Sequence, residues 1–331
     1  MNNLLSFTAK ASGKIIISGE HAVVYGQPAL AMAVERFATT TITSYPKNAV
    51  IFDLINLNYR ASWELSQLQL LQRQIKNRFT DFSKKHCRID EVLEYPWELV
   101  LYAFTCFCEK FAVTKLNGVM IRVESTIPVG YGMGSSAAVI ISLLRALSVF
   151  FAMSIADAEL VHLGREIEKM QHGQSSGLDL YLALHGGCVL WQNGIVEERP
   201  LPVLSIFLVD TGKPKSSTGA CVTQVAAHLH DSLLLQDFAA VTRALDEALL
   251  AQNLSNAQDA VCENQRILER IGVVPQKVQA FVKEVEVRGL AAKICGAGAV
   301  SGDNGGVVLV LGEKDNITDL IQKYKFKIIN N

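Results

Sequence analysis

Pro128-Val-Gly-Tyr-Gly-Met-Gly-Ser-Ser-Ala-Ala138 holds three glycines in seven residues, Gly130, Gly132 and Gly134, directly before Ser135, Ser136 and Ala137. Glycines let a backbone approach an anion without side-chain obstruction, and the serines stand where a helix would begin, with its free amides and positive dipole end. The stretch upstream, Gly118 to Ser125, alternates Val119, Ile121 and Val123 with polar partners, as a half-buried strand does. Downstream, Ala137 to Met153 is almost wholly apolar. The order is strand, glycine turn, helix, which makes a phosphate cradle. The same residues also fit a tight turn closed by a serine cap. There is no GxxxxGK[ST], and these glycines do not satisfy GxGxxG, so a P-loop and a dinucleotide fingerprint are both excluded.

Arg145 lies near the middle of the apolar run. A spanning helix needs about 20 apolar residues, and a central arginine costs at least ~2.5 kcal/mol on insertion scales, so a buried helix is expected. Half of the 331 residues are apolar and 19% are charged, the profile of an ordered globular protein. The formal net charge of −1 offers no global basic field for nucleic acid or an anionic membrane, so any phosphate site has to be local. The seven cysteines form no CxxC pair, which argues against a disulfide framework or structural zinc. The opening MNNLLSFTAKASGK lacks the features of a signal peptide, and a cytoplasmic protein is expected.

Strands are expected at Lys14 to Ile17, Ala29 to Val34 and Ala38 to Thr43, then a polar, Gln-rich segment, with helices over Ser62 to Phe82 and Tyr95 to Phe111. A second helix should follow the buried one, from Ile155 to Met170. Beyond it, strands are expected at Gly187 to Trp191 and Leu204 to Val209, and helices near 218–230, 236–252, 255–271 and 275–288. A strand pair at Ala291 to Ile294 and Val307 to Leu311 comes next, with a short final helix and strand. No linker divides the chain, and a soft boundary near 185 separates an N-terminal lobe, 1–185, from a C-terminal lobe, 186–331.

Three residues stand out for chemistry. Glu168 falls near the end of a predicted helix, where a negative charge is unfavourable unless a cation offsets it; a solvated glutamate balanced by Lys169 is the plainer alternative. Asp179 follows a loop of small residues and is either a helix cap or a site carboxylate. Lys14 lies on the apolar strand GKIIISG, where it either snorkels outward or faces a site.

The glycine run resembles the central ATP-binding motif of the superfamily of galactokinase, homoserine kinase, mevalonate kinase and phosphomevalonate kinase, the GHMP kinases. Two further segments agree in order, ASGKIIISGEHAVVYGQPALA at 11–31 and KICGAGAVSGDNGGVVLVL at 293–311. GEHAVVYG at 19–26 and HGQSSGLD at 172–179, which is similar to HGxPSGxD, bring it closest to the mevalonate kinase branch. The resemblance implies an α+β fold of two lobes, the first holding ATP and the second completing the acceptor site. Pro128, Gly130, Gly132, Gly134, Ser135, Ser136 and Ala137, with Gly296 and Gly298, would surround the nucleotide, and Ser136 and Glu168 would hold Mg2+. It implies Asp179 as the catalytic base with Lys14 beside it.

Glu20, His21, Ser176, Lys213, Lys215 and Ser217 become candidates for the acceptor side. The implied reaction is phosphorylation of the primary hydroxyl of mevalonate to 5-phosphomevalonate, with His21, Lys213 or Lys215 supplying charge or donors to its carboxylate. The alternatives are a kinase for another alcohol or for phosphomevalonate, a decarboxylase, or a ligand sensor without turnover. No nucleic-acid or membrane partner is implied, and a homodimer is among the assemblies open to it. The chain departs from the family pattern at Ser12 and Ser175, where proline is usual, and at 299–304, which enlarges the third glycine loop.

Overall fold

The computed structural model describes residues 5–114, 118–226, 228 and 232–329. Its first half runs β1 (Ser6–Ser18), β2 (Ala29–Ser44), β3 (Val50–Leu54), β4 (Tyr59–Trp63), α1 (Leu65–Ser83), α2 (Glu98–Lys110), β5 (Val119–Ser125), α3 (Ser135–Phe150), α4 (Asp157–His172) and α5 (Leu178–His185). The second half runs β6 (Cys188–Gln192), β7 (Ile195–Arg199), β8 (Ile206–Asp210), α6 (Thr218–Ala226), α7 (Ser232–Leu250), α8 (Leu254–Arg270), α9 (Gln276–Val287), β9 (Ala291–Ile294), β10 (Val307–Leu311), α10 (Thr318–Tyr324) and β11 (Lys327–Ile329). The architecture is α+β.

The chain forms two compact units. One holds residues 1–13, 35–127 and 134–185; the other holds 14–34, 128–133 and 186–331. One change of unit falls after His185. The segments 14–34 and 128–133, which the division read from the sequence left in the first lobe, group with the second unit. Contacts made by chain segments far apart in sequence decide this grouping, and composition carries no trace of them.

In the first unit, β3 pairs parallel with β5 and antiparallel with β4, and β5 pairs antiparallel with the second half of β2 from Ala38 to Ser44. The hairpin of β3 and β4 replaces the polar segment expected there: Val50, Phe52 and Leu54 are buried in alternation, and Asn58 takes the left-handed conformation that closes the turn. Phe52 meets Phe104 of α2 edge-on, with ring centroids 5.7 Å apart. The apolar run is α3, whose buried residues pack among α2, α4 and α5, while Arg145 is exposed and donates to the carbonyl of Lys10. No helix among the described residues is long and apolar enough to cross a membrane.

In the second unit, β2 from Ala29 to Met32 pairs antiparallel with β6, which pairs with β7. A separate antiparallel sheet runs β11-β8-β10-β9. Val308, Val310 and Ile294 of this sheet join Phe238, Ile267, Val278 and Phe281 in a core beneath α7, α8 and α9. The strand pair at 291–294 and 307–311 matches its expected bounds. The helix expected at 218–230 is described to Ala226, and the rest of that expectation, apart from His228, lies outside the described residues.

Candidate functional site

In the second unit, Lys14 of β1 is buried at 3% exposure and fastens the glycine run from both ends of its own residue. Its amide donates to the Met133 carbonyl at 3.0 Å and its Nζ to the Gly132 carbonyl at 3.3 Å. Gly130 and Gly132 are left-handed, at φ 85° and 77°. A Cβ on Gly132 would come within 3.1 Å of the Cys295 carbonyl oxygen, and one on Gly296 within 3.0 Å of the Gly132 Cα. These two glycines therefore let the first and third glycine loops lie backbone on backbone. Gly298 is tighter still, because Ala299 donates to the Val273 carbonyl, which a Cβ on Gly298 would reach at 2.2 Å.

The turn after β1 carries Glu20 and His21. Glu20 is 1% exposed and pairs with Lys293 of β9, which has no exposed surface. The second carboxylate oxygen of Glu20 is buried without a hydrogen-bond partner. His21 takes φ 60°, and its Nε2 lies 3.1 Å from the carbonyl oxygen of Ala297. Burial, opposed by that hydrogen bond and helped by the nearby Lys293 ammonium, lowers the imidazole to about 4. His21 is thus neutral at pH 7, and the fixed positive charge that the sequence reading allowed it for an acceptor carboxylate is absent.

Lys213 and Lys215 are exposed on the segment after β8. A Cβ on Gly130 would meet Cε of Lys213 at 3.4 Å, so this lysine stem runs alongside the glycine loop. Ser217 is a helix cap: its hydroxyl accepts from the Ala220 amide at 3.2 Å in the first turn of α6. The enlarged loop at 299–304 is fastened onto this same segment. The Val300 amide donates to Ser216 Oγ at 3.0 Å, Asn304 Nδ2 to the Lys213 carbonyl at 3.3 Å, and the Gly305 amide to Thr211 Oγ1 at 3.0 Å.

In the first unit, Gly134 (φ 69°) precedes α3, so Ser135, Ser136 and Ala137 form its first turn. Ser136 Oγ lies 3.4 Å from Nε2 of His172, the last residue of α4. Glu168 stands one turn earlier on α4, on the same face. It is buried at 5% exposure, and Lys169 is drawn to Glu166 at 2.5 Å, so the solvated, lysine-balanced glutamate is not what the fold makes. Oε2 of Glu168 accepts from the hydroxyl of Ser175 at 2.6 Å.

Ser175 Oγ also accepts from the Gly177 amide, and the Ser175 carbonyl accepts from Arg165 Nη2. Ser176 accepts from the Leu178 amide at the start of α5, which puts Asp179 in the first turn of that helix, where free amides favour a carboxylate. Gly164 of α4 sets how closely α5 approaches, since a Cβ there would meet Leu180 Cδ2 at 2.9 Å.

Mg2+ takes hard oxygen donors and is often held by one or two protein groups together with substrate phosphates. Among the described residues no three His, Cys, Asp or Glu side chains converge into a metal cluster. Glu168 shares a face of α4 with His172, the residue that Ser136 of α3 meets, and both Ser136 and Glu168 are hard oxygen donors of the kind that fit an ion held mainly by phosphates. A buried carboxylate at a helix C-terminus is itself a group that a cation would stabilise.

Of the candidates read from the sequence, Ser136, Glu168, Ser176 and Asp179 are gathered by α3, α4 and α5 of the first unit. Lys14, Glu20, His21, Gly130, Gly132, Gly296, Gly298, Lys213, Lys215 and Ser217 belong to the second. Sequence reasoning passed over Lys293 and treated Ser175 only as a lost proline. A lysine inside the apolar strand Ala-Ala-Lys-Ile carried the same signal that singled out Lys14.

The model of the GHMP kinases N terminal domain matches residues 98–187. A mevalonate kinase of Archaeoglobus fulgidus is 29% identical over 321 residues, 96% of this chain and 97% of its own. The solved mevalonate kinase of Methanococcus jannaschii superposes with a TM-score of 0.78 at 24% identity, over 98% of each chain. A Streptococcus pneumoniae phosphomevalonate kinase, solved with phosphomevalonate and AMPPNP, superposes with a TM-score of 0.74 at 15% identity, over 97% of this chain and 99% of that one.

Proposed function

We propose that this chain is a GHMP kinase and that it transfers the γ-phosphoryl group of ATP to the primary hydroxyl of mevalonate, giving 5-phosphomevalonate. The observation that carries the acceptor is the full-length similarity to mevalonate kinases, together with GEHAVVYG at 19–26 and HGQSSGLD at 172–179. The glycine motif is common to the superfamily and bears on the nucleotide alone.

Phosphoryl transfer asks chiefly for positioning and charge neutralisation. Gly130, Gly132 and Gly134 clear the backbone for the phosphates, and the amides at the start of α3 donate to them. Gly296, held against Gly132, fixes the shape of that loop. Ser136 and Glu168 would hold Mg2+, which when bound offsets the charge of the phosphates. Asp179 accepts the proton of the acceptor hydroxyl as the oxygen attacks. Lys14, tied to the Gly132 carbonyl, contributes an ammonium that offsets charge on the transferred group.

A coupled assay of ADP release tests this reading with mevalonate, phosphomevalonate, homoserine and galactose, with carbon dioxide followed in parallel. Saturable turnover of mevalonate well above the others, without carbon dioxide, is the expected result. Ready turnover of another alcohol with none of mevalonate would leave the superfamily and overturn the acceptor.

A further inference from the structure

Arg165 lies on α4 one turn before Glu168, and its half-buried side chain crosses to the loop that leads into α5. Nη2 donates to the Ser175 carbonyl at 3.3 Å. The stem passes against Gly177, where an added Cβ would meet Cδ of Arg165 at 3.0 Å, Nε at 3.4 Å and Cγ at 3.5 Å. Gly177 also holds φ 90°, so the arginine crosses the loop at a residue where a side chain would be strained in any case.

Arg78, Arg199 and Arg288 each reach a carboxylate. Among the described residues Arg165 is in no ion pair, and its Nε is buried without a hydrogen-bond partner. Withdrawing a guanidinium from water costs free energy that one carbonyl contact offsets only in part, so the contact is a poor device for stability. What it holds is more informative. α4 grips Ser175 at two points, Glu168 taking the hydroxyl and Arg165 the carbonyl.

The next residues are wound directly from that grip. The Gly177 amide donates to Ser175 Oγ and the Leu178 amide to Ser176 Oγ, each at 3.3 Å, and the Tyr181 amide donates to the Gly177 carbonyl at 2.9 Å. Asp179 stands inside this first turn of α5, two residues beyond Gly177.

We propose that Arg165 is a positioning residue for phosphoryl transfer: by clamping the Ser175 carbonyl and packing on Gly177 it sets where α5 begins, and so fixes Asp179 relative to Glu168. This rests on the kinase reading above and deepens it. One helix, α4, then supplies the carboxylate proposed for the metal and places the proposed base.

The test compares wild-type protein with Arg165→Met, which keeps an apolar stem against Gly177, and with Arg165→Ala, which leaves room for an added guanidinium ion. In both variants kcat with mevalonate should fall by about tenfold or more, toward the roughly 10² that a misplacement of about 1 Å can cost, while KM for ATP and for mevalonate stays within about twofold. Guanidinium chloride, at millimolar concentrations well below denaturing strength, should restore most of the lost turnover to Arg165→Ala and none to Arg165→Met. Sodium chloride of equal ionic strength is the control.

Hydrogen exchange reads the same claim without turnover: the amides of residues 175–181 should exchange about tenfold faster in Arg165→Ala than in the wild type, and guanidinium should slow them again. Folded variants with unchanged kcat, with the loss confined to KM, or with unchanged exchange over 175–181 would overturn the proposal. So would guanidinium that restores neither turnover nor protection to Arg165→Ala. If the wild type turns over no mevalonate, the acceptor assignment falls, and exchange over 175–181 still decides the clamp: faster in Arg165→Ala it stands, unchanged it fails.

Discussion

Ser175 donates its hydroxyl proton to Oε2 of Glu168 across 2.6 Å, at the position where the HGxPSGxD pattern carries proline. Proline would stiffen the loop through its ring; serine fixes it by bonding to the very carboxylate proposed to hold Mg2+. We expect Ser175→Ala to raise the Mg2+ concentration for half-maximal rate several-fold and to leave kcat at saturating Mg2+ within about threefold, since the hydrogen bond orients the ligand and is not one itself. Titrating ADP release against Mg2+ decides it. An unchanged Mg2+ dependence would reduce Ser175 to a loop tether.

Asp179→Asn keeps size and polarity and removes the ability to take a proton. Turnover should fall by at least about 10², the usual floor for a general base, with ATP affinity little changed. Calorimetric ATP binding beside single-turnover kinetics separates the two quantities, and near-normal turnover in the folded variant would remove Asp179 from the mechanism.

Gly132→Ala adds a Cβ 3.1 Å from the Cys295 carbonyl oxygen at a residue held at φ 77°. Gly186→Ala is the matched control, with φ 72° and nothing within 4 Å of the added carbon. Both carry the backbone cost of roughly 1 kcal/mol, and only the first also forces the two loops apart. Urea unfolding should show the larger loss for Gly132→Ala, and only that variant should bind ATP more weakly.

His21 has a folded-state value of about 4 against an ordinary 6.5, so between these the unfolded chain binds more protons than the folded one. Its contribution is fully present above pH 6.5 and is lost as the pH falls toward 4, by roughly 3 kcal/mol in all. His21→Asn, which tolerates positive φ, should flatten the decline in stability over that window relative to the wild type. Identical slopes in pH-dependent urea unfolding would contradict the buried neutral imidazole.

The parts of the fold with strong local periodicity were legible from residues alone. The strand pair closing the second sheet kept its bounds because an unbroken apolar run admits few readings, and α3 was readable as a buried helix because Arg145 excluded a membrane. The hairpin of β3 and β4 was lost to the leucines and glutamines that follow it, and α5 to the small residues before Asp179. Of the candidate site, the residues that could be singled out were those where chemistry and motif coincide, Lys14, Glu168 and Asp179. Lys293 carried the same signal as Lys14 and was passed over, and its partner and that of Ser175, 273 and 7 residues away respectively, are brought into contact only by the fold.

Phosphorus NMR of a mixture of the protein, mevalonate, ATP and Mg2+ tests the central claim most directly, because it reads the bond that is made. A new phosphomonoester signal, split into a triplet by the two protons of the adjacent CH2 and growing in equal measure with ADP, is the predicted result. ADP formed with inorganic phosphate and no ester, an ester lacking that splitting, or no reaction while another alcohol is phosphorylated would contradict it.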